Sequence, residues 1–387
     1  MTGTIRVCRP EELPRLIDRA LDEEEWLVPL DPGHHTAGTA RLDWLAPDRP
    51  ETSAGGGVIV TTSGSTGAPK GVCLPGSALR AGGLATQQVV GPADWVCALP
   101  LQYVAGLMTL VRARIAGHRF TEVDASLSGL AEVVAGRPAA LSVVATQLHR
   151  AVALADEGVF EVVRSMASCR MVLVGGSAVE AGLLARARGM GIKAVTTYGM
   201  SETAGGCVYD GSPLPGVGIH LLGLHEFPGV LRSGDAPEID EGRIAISGPM
   251  LFSGYRNRPD LTAETLVDGR VVTQDRGRWR QGRLRVLGRY DDVIISGGVN
   301  VDLAEVQQAV ERVAPGRAAV VAAPDPEWGA SVCLVVEGDE PLGWWRGQLR
   351  DEGLQAPALP KRLARVDTLP RTVSGKIDRQ GLRVHFG

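Results

Sequence analysis

Apolar residues recur along this chain with two periods. Between Pro10 and Glu25 the positions Leu13, Leu16, Ile17, Ala20 and Leu21 form one stripe, the spacing of an amphipathic helix. Leu27–Leu30 predicts a short strand, and the Pro-, Gly- and Thr-rich chain from there to Gly57 predicts loops. Gly57–Val60 is a short apolar run with the character of a buried strand, and Ser77–Val90 has that of a helix. Thereafter the two patterns alternate. Strands are expected at Val96–Leu99, Ala140–Val144, Met171–Val174 and Ala194–Thr197, with helices at Thr146–Ala155 and from about Val179 to Arg188. Repeated β-α-β units need crossover connections, so they predict a mostly parallel sheet with helices on both faces. Ligands in such sheets bind beyond the carboxyl ends of the strands.

From Gly216 to Tyr255 the pattern changes, with shorter strands and recurring glycines. Val230–Arg232, Arg243–Ser247, Val271–Asp275, Trp279–Gln281 and Leu284–Leu287 predict antiparallel β structure. Val293–Ser296, a helix at Leu303–Val313, and strands at Ala318–Ala323, Ser331–Val336 and Arg362–Val366 then form a small α+β unit. The expected architecture is α/β. A large N-terminal domain, residues 1–288, has layered mixed and parallel sheets with helices plus a β-rich section. A small α+β C-terminal domain follows at 289–387, with the boundary at Arg289–Asp292. No internal repeat or low-complexity segment interrupts it.

At 387 residues the chain can bury a large core in two or three domains. Its net charge of −4, from 40 basic and 44 acidic residues, gives no basic bias toward nucleic acid and no block of like charge. The 6 cysteines include no C-x-x-C pair, no secretory signal stands at Met1, and no apolar run reaches the length of a membrane span. A cytoplasmic protein with reduced thiols is expected, Cys73 being a small buried residue. The 7 histidines show no metal-ligand spacing, and His34-His35 reads as a loop pair.

The chemistry concentrates in Thr61–Gly71, TTSGSTGAPKG, directly after the buried strand. Gly64, Gly67 and Gly71 let backbone N–H groups approach an anion. Thr62, Ser63, Ser65 and Thr66 donate further hydrogen bonds, and Lys70 supplies a point charge. This is a polyphosphate cradle by composition. It is no Walker A loop, which needs Gly-Lys-Ser/Thr, because Lys70 lies between Pro69 and Gly71. A solvated Ser/Gly linker would rarely follow a buried strand or end in Pro-Lys-Gly.

The loop resembles the phosphate-binding signature of adenylate-forming enzymes, the superfamily of acyl-CoA ligases, luciferases and peptide-synthetase adenylation domains. Four further strings in the family's order carry the resemblance from Ile59 to the C-terminus. In Tyr198–Thr203 (YGMSET) it implies that Tyr198 lies against adenine, Ser201 meets the α-phosphate and Glu202 helps hold Mg²⁺. The physics agrees, since a carboxylate near a triphosphate needs a hard cation between them. As local structure alone the string is a helix start with Ser201 as N-cap. In VVTQDRG, Asp275 would accept both ribose hydroxyls, with Gln274 in place of the family's glycine. In GRYDDVIISGGVN, Arg289 would assist at the ribose and Asp291 would be the hinge of a mobile C-terminal domain. Ser296, Gly297 and Gly298 would face the active site in the second half-reaction. In LPRTVSGKIDR, Lys376 matches the lysine that neutralises charge at the α-phosphate during adenylation. Gly175 and Gly199, in two strand-end loops, are expected nucleotide contacts. The stretch before the loop is shorter than is usual in the superfamily, which implies a compact variant with a simplified first subdomain.

The implied reaction uses ATP, Mg²⁺ and coenzyme A with a small-molecule carboxylic acid, in two steps through an acyl-adenylate. SVVATQLHR at 142–150, GSPLPG at 211–216 and VTQDRG at 272–277 are similar to the o-succinylbenzoate–CoA ligases of menaquinone biosynthesis. That acid carries a second carboxylate, which needs a partner when buried. Arg150 is the candidate, with Thr146 and Gln147 beside it. Tyr103, in the segment Leu99–Val111 that resembles the start of the family's acyl pocket, is a candidate wall. A ligase for another aryl or short acyl acid, an enzyme loading a carrier-protein thiol, and a catalytically dead nucleotide-binding regulator remain alternatives. The last is disfavoured by Lys376, Glu202 and Asp275 occurring together. Nucleic-acid and membrane partners are not expected, and the oligomeric state, homo-oligomer included, is open.

Overall fold

The computed structural model describes residues 2–30, 45–46, 51–63, 69–223, 240–371 and 377–386. A seven-stranded sheet lies at the centre. Its order is Ser212–Pro213, Gly205–Tyr209, Ala194–Met200, Met171–Gly175, Ala139–Val144, Asp94–Cys97 and Phe120–Glu122. The last five of these run parallel, and the first two are antiparallel additions. Alternation explains how both faces are covered. Val96, Leu141, Val143, Val172 and Val174 pack on one side against helices Ala145–Asp156, Glu161–Ser168 and Ala181–Gly189. Trp95, Ala140 and Leu173 point to the other side, toward helices Gly76–Val90 and Val104–Ala116. The strands and helices predicted from periodicity in this region are present, shifted by a residue or two.

A second sheet, in the order Gly254–Tyr255, Pro69–Pro75, Gly57–Ser63, Trp26–Pro29 and Ile5–Cys8, holds the glycine-rich segment. Its largest cluster of buried side chains joins Val58, Val60, Val72 and Leu74 to Leu79, Leu107 and Met108 of the two helices, and to Leu13, Ile17 and Leu21 of helix Leu13–Leu21. The segment expected as a long loop, Thr61–Gly71, is largely a β-hairpin. Thr61 pairs with Gly71, Thr62 with Lys70 and Ser63 with Pro69, and Gly64–Ala68 lie outside the described residues. The alternation in Val72-Cys73-Leu74 carries the returning strand, whose Cys73 is buried as expected.

The third sheet is antiparallel, as its pattern predicts. Its order is Gly218–Leu222, Glu241–Ser247, Arg270–Arg280 and Leu266–Val267, with Arg283–Arg289 pairing the same edge of Arg270–Arg280 as Leu266–Val267, further along the strand. The three short strands expected across 271–287 are two long ones. Gln281 and Gly282, at φ 53° and 69°, make the two-residue turn between them. Val230–Arg232 lies outside the described residues. A fourth sheet joins Val299–Asp302, Val293–Ser296, Gly329–Val336, Ala318–Asp325 and Arg362–Arg365, packed on helices Leu303–Val313 and Leu342–Asp351. Its buried clusters hold no residue before Val301. Periodicity misses Leu342–Asp351, because Gly343 and Gly347 dilute helix propensity and only Trp345 and Leu349 are buried.

Candidate active site

Tyr103, Thr146, Gly175 and Tyr198 stand at or just beyond the carboxyl ends of four neighbouring parallel strands, where the topology places a ligand crevice. Strand Ala194–Met200 runs further than its apolar pattern suggests and carries Tyr198, Gly199 and Met200 to the crevice edge. Ser201–Thr203 is then a single 3₁₀ turn, and no α-helix starts there. Ala204 (φ 48°) and Gly205 (φ 86°) reverse the chain into the antiparallel strand Gly205–Tyr209. The cap is made by Thr203 rather than Ser201. Thr203 Oγ1 accepts from Met200 N at 2.9 Å and donates to the Gly205 carbonyl at 2.8 Å. Gly199 is needed for packing, since a Cβ there would lie 2.0 Å from the Gly205 carbonyl oxygen.

One end of the crevice gathers the residues expected at the nucleoside. Tyr198 Oη donates to Asp275 Oδ2 at 2.7 Å. Burial, reinforced by the Asp275 charge, pushes the phenol far above its ordinary range, so it stays a donor. Asp275 is aimed by an irregularity in the ladder: Arg243 faces Arg276 but Ala245 faces Val272, leaving extra residues on the Asp275 strand. Thr273 Oγ1 fixes this bulge, accepting from Asp275 N at 3.0 Å and donating to the Ile244 carbonyl at 2.9 Å. Gln274 replaces no turn here; it faces outward and pairs with Arg243. Arg289 lies opposite Asp275 in the ladder, with Nη1 3.9 Å from Oδ1. Its Nε and Nη2 each donate to Asp291 at 2.7 Å. That fork holds the Asp291 carboxyl below the usual carboxylate range and raises the arginine further.

The other end gathers residues expected at the phosphates. Lys70 sits 5.1 Å above the Tyr255 ring, and Tyr255 Oη donates to Glu202 Oε1 at 2.6 Å. Thr62 lies across the hairpin from Lys70. Gly64, Ser65, Thr66 and Gly67 lie outside the described residues, and Ser63 is described by its backbone alone. Tyr255 is a residue the motifs miss. It lies 53 residues from Glu202 in an ordinary-looking Ser-Gly-Tyr-Arg-Asn string, and only the pairing of Gly254–Tyr255 with Val72–Cys73 brings it in. Among the described residues no cluster of His, Cys, Asp and Glu could enclose a metal by itself. Glu202 offers a single hard carboxylate with one oxygen bonded to a phenol. That suits Mg²⁺, which takes one or two protein carboxylates and completes its shell with phosphate oxygens and water.

The residues expected at the acid divide into two kinds. The Gln147 carboxamide is engaged by backbone, accepting from Val144 N at 2.9 Å and donating to the carbonyls of Ala98 at 3.1 Å and Ala125 at 2.9 Å. It anchors the start of helix Ala145–Asp156. Thr146 is half-buried and Arg150, one turn on, is exposed and unpaired among the described residues. Tyr103 caps helix Val104–Ala116. In the fourth sheet Ser296 is buried, and Gly297 (φ 59°) turns against Trp328, where a Cβ would sit 2.5 Å from the indole. Gly298 (φ 80°) has open space around it. Lys376 lies outside the described residues; Arg371 and Ile377, flanking it, form an antiparallel bridge. No helix among the described residues is long and apolar enough to cross a membrane.

Comparison with known proteins adds to this geometry. The model of a family described as AMP-binding enzyme matches residues 13–256. A protein of Mycobacterium tuberculosis described as a probable 2-succinylbenzoate–CoA ligase is 37% identical over 349 residues, 85% of this chain and 84% of that one. The 2-succinylbenzoate–CoA ligase of Enterococcus faecalis is 30% identical over 345 residues, 82% of this chain and 67% of that one. The solved o-succinylbenzoate CoA synthetase of Bacillus subtilis, in complex with its acyl-adenylate intermediate, shares the fold with a TM-score of 0.73. It is 24% identical and covers 98% of this chain and 83% of that chain.

Proposed function

The chain belongs to the AMP-binding enzyme family, and on that footing we propose that it joins o-succinylbenzoate to coenzyme A at the expense of ATP. The observation that carries the reading is the pair of hydroxyl–carboxylate contacts, Tyr198–Asp275 and Tyr255–Glu202, at the two ends of one strand-end segment. On this reading Asp275 is the nucleoside-binding carboxylate and Glu202 the cation-binding one, their contacts supporting the assignment from residue 198 and residue 202 of one short segment. The relatives named for 2-succinylbenzoate support the choice of acid.

In the first step the succinyl carboxylate attacks the α-phosphorus and the bond to pyrophosphate breaks, leaving acyl-AMP. In the second the CoA thiolate attacks the acyl carbon and AMP leaves. Asp275, with Arg289 beside it, holds the ribose, and Tyr198 keeps Asp275 oriented while walling the base. Glu202 would hold Mg²⁺, which would supply charge neutralisation at the polyphosphate, and Lys70 with the hydroxyl residues before it binds the phosphate chain. Residues 289–387 form a small domain turning about Asp291, bringing Lys376 to the first step and the Ser296–Gly298 loop to the second. Arg150 pairs with the ring carboxylate. The cytoplasm, where ATP and CoA are available, is the compartment this reading implies.

The test is product analysis with o-succinylbenzoate, Mg·ATP and CoA, alongside benzoate, other aryl acids and short fatty acids. Formation of o-succinylbenzoyl-CoA and AMP in preference to the other thioesters is expected. Pyrophosphate exchange with another acid and none with o-succinylbenzoate overturns the acid; no exchange with any acid overturns the ligase.

A further inference from the structure

Tyr255 lies where the lysine of the hairpin and the carboxylate of the strand-end turn meet, and its own backbone is fixed to both. Phe252 N donates to the Glu202 carbonyl at 2.9 Å. Ser253 N donates to the Cys73 carbonyl at 2.9 Å, and Tyr255 then pairs with Val72 on the strand that bears Lys70. Tyr255 is 7% exposed, and its ring stands edge-on to Phe252, with centroids 4.9 Å apart. Its single polar atom points at Glu202 Oε1, 2.6 Å away. Its face carries the Lys70 ammonium.

A phenol suits this place in a way that neither a cation nor an apolar ring does. An arginine bonded to Glu202 would neutralise the carboxylate and weaken its hold on a metal. A phenylalanine would leave the carboxylate to rotate. A buried tyrosine hydroxyl donates one hydrogen bond, leaves the full negative charge for a cation, and fixes which oxygen faces it. A phenol is protonated at neutral pH by its ordinary chemistry, and here its proton is aimed at Glu202 Oε1. The ring acts similarly on Lys70. It attracts the ammonium through its quadrupole without a counter-charge, so the lysine remains available to a phosphate.

We infer that Tyr255 is a positioning residue for adenylation: its hydroxyl orients Glu202 toward the metal–polyphosphate while its ring holds Lys70 in the same cradle. The inference rests on Glu202 being the metal carboxylate, as proposed above. Tyr255→Phe keeps the ring and removes only the donor, so a folded protein is expected, with calorimetric melting as the check and all titrations run well below the melting temperature. Calorimetric titration of Mg²⁺ into the full-length protein carrying a non-hydrolysable ATP analogue is expected to show about tenfold weaker metal binding, the loss typical of a hydrogen bond to a charged group. The Mg²⁺ requirement for pyrophosphate exchange should rise in step, while thioester formation from supplied acyl-adenylate stays unchanged. Tyr255→Leu, which also removes the ring, should in addition weaken the metal-free analogue through Lys70. Glu202→Gln is the control. If it loses metal binding and Tyr255→Phe does not, the positioning role fails while the reading of Glu202 stands. If Glu202→Gln binds Mg²⁺ as the wild type does, the underlying reading fails, and the inference with it.

Discussion

Gln147 and Arg150 are three residues apart on helix Ala145–Asp156, and the fold treats them in opposite ways. Gln147 makes three hydrogen bonds to backbone and is buried, so replacing it would disturb the helix start before it touched any ligand. Arg150 is exposed beyond a strand end with no ion pair among the described residues, the condition of a cation available to an incoming anion. Arg150→Leu is expected to raise KM for o-succinylbenzoate and to lower kcat/KM by about tenfold or more, the effect of losing one partner of a desolvated charge pair. An analogue without the ring carboxylate should be a poor substrate of the wild type and indifferent to the substitution. Steady-state thioester formation with both acids and both proteins is the measurement. Equal impairment of the two acids would assign Arg150 a structural or nucleotide role.

At the scale of elements, the turn at 198–205 shows how a strand end becomes a site. Strand Ala194–Met200 and its antiparallel return, Gly205–Tyr209, approach so closely at Gly199 that a methyl group would meet the carbonyl of Gly205 and the Cα of Gly206. Both neighbours are backbone and cannot swing aside. Gly199→Ala is therefore expected to cost about 1–3 kcal/mol of stability. Because Tyr198 and Glu202 flank the displaced backbone, both half-reactions should weaken together. A melting temperature and single-turnover rates equal to the wild type would show that the strands separate more easily than their pairing indicates. The bulge at Asp275 follows the same logic: a regular ladder is interrupted where a side chain must face the crevice.

Across the whole molecule the fourth sheet has its own buried clusters, and an ion pair is among the contacts that join its first helix to the third sheet. Arg276 pairs with Asp302, the N-cap of helix Leu303–Val313, and Arg289 grips Asp291. Polar contacts of this kind can be exchanged at low cost, as a domain that turns requires. Asp291 is tied to an arginine that also approaches Asp275, so the proposed ribose site and the proposed hinge share one guanidinium. If the small domain delivers Lys376 for the first step alone, Lys376→Ala should lower acyl-adenylate formation by about a hundredfold or more. Thioester formation from supplied acyl-adenylate should be spared. Separate assays of the two half-reactions decide it, and equal losses in a folded variant would remove Lys376 from this role.

The parts of this protein that depend on near neighbours were legible in the order of its residues. The 3.6-residue stripe at Leu13–Leu21, the apolar strands Met171–Val174 and Ala140–Val144, and the helix Leu303–Val313 come from burial patterns that every segment carries within itself. The glycine- and hydroxyl-rich string before Lys70 and the YGMSET string stand out for the same reason, since each is a run of neighbouring residues. Pairing across long separations was not legible. That Thr62 faces Lys70 in a hairpin, that Tyr198 bonds Asp275, that Tyr255 reaches Glu202, and that Gln147 binds the carbonyls of Ala98 and Ala125 depend on strand register and layer packing. A local string has no term for those contacts: a tyrosine hydroxyl buried against a distant carboxylate and one left in water have the same neighbours in sequence, and only the closing of the sheets around them distinguishes the two.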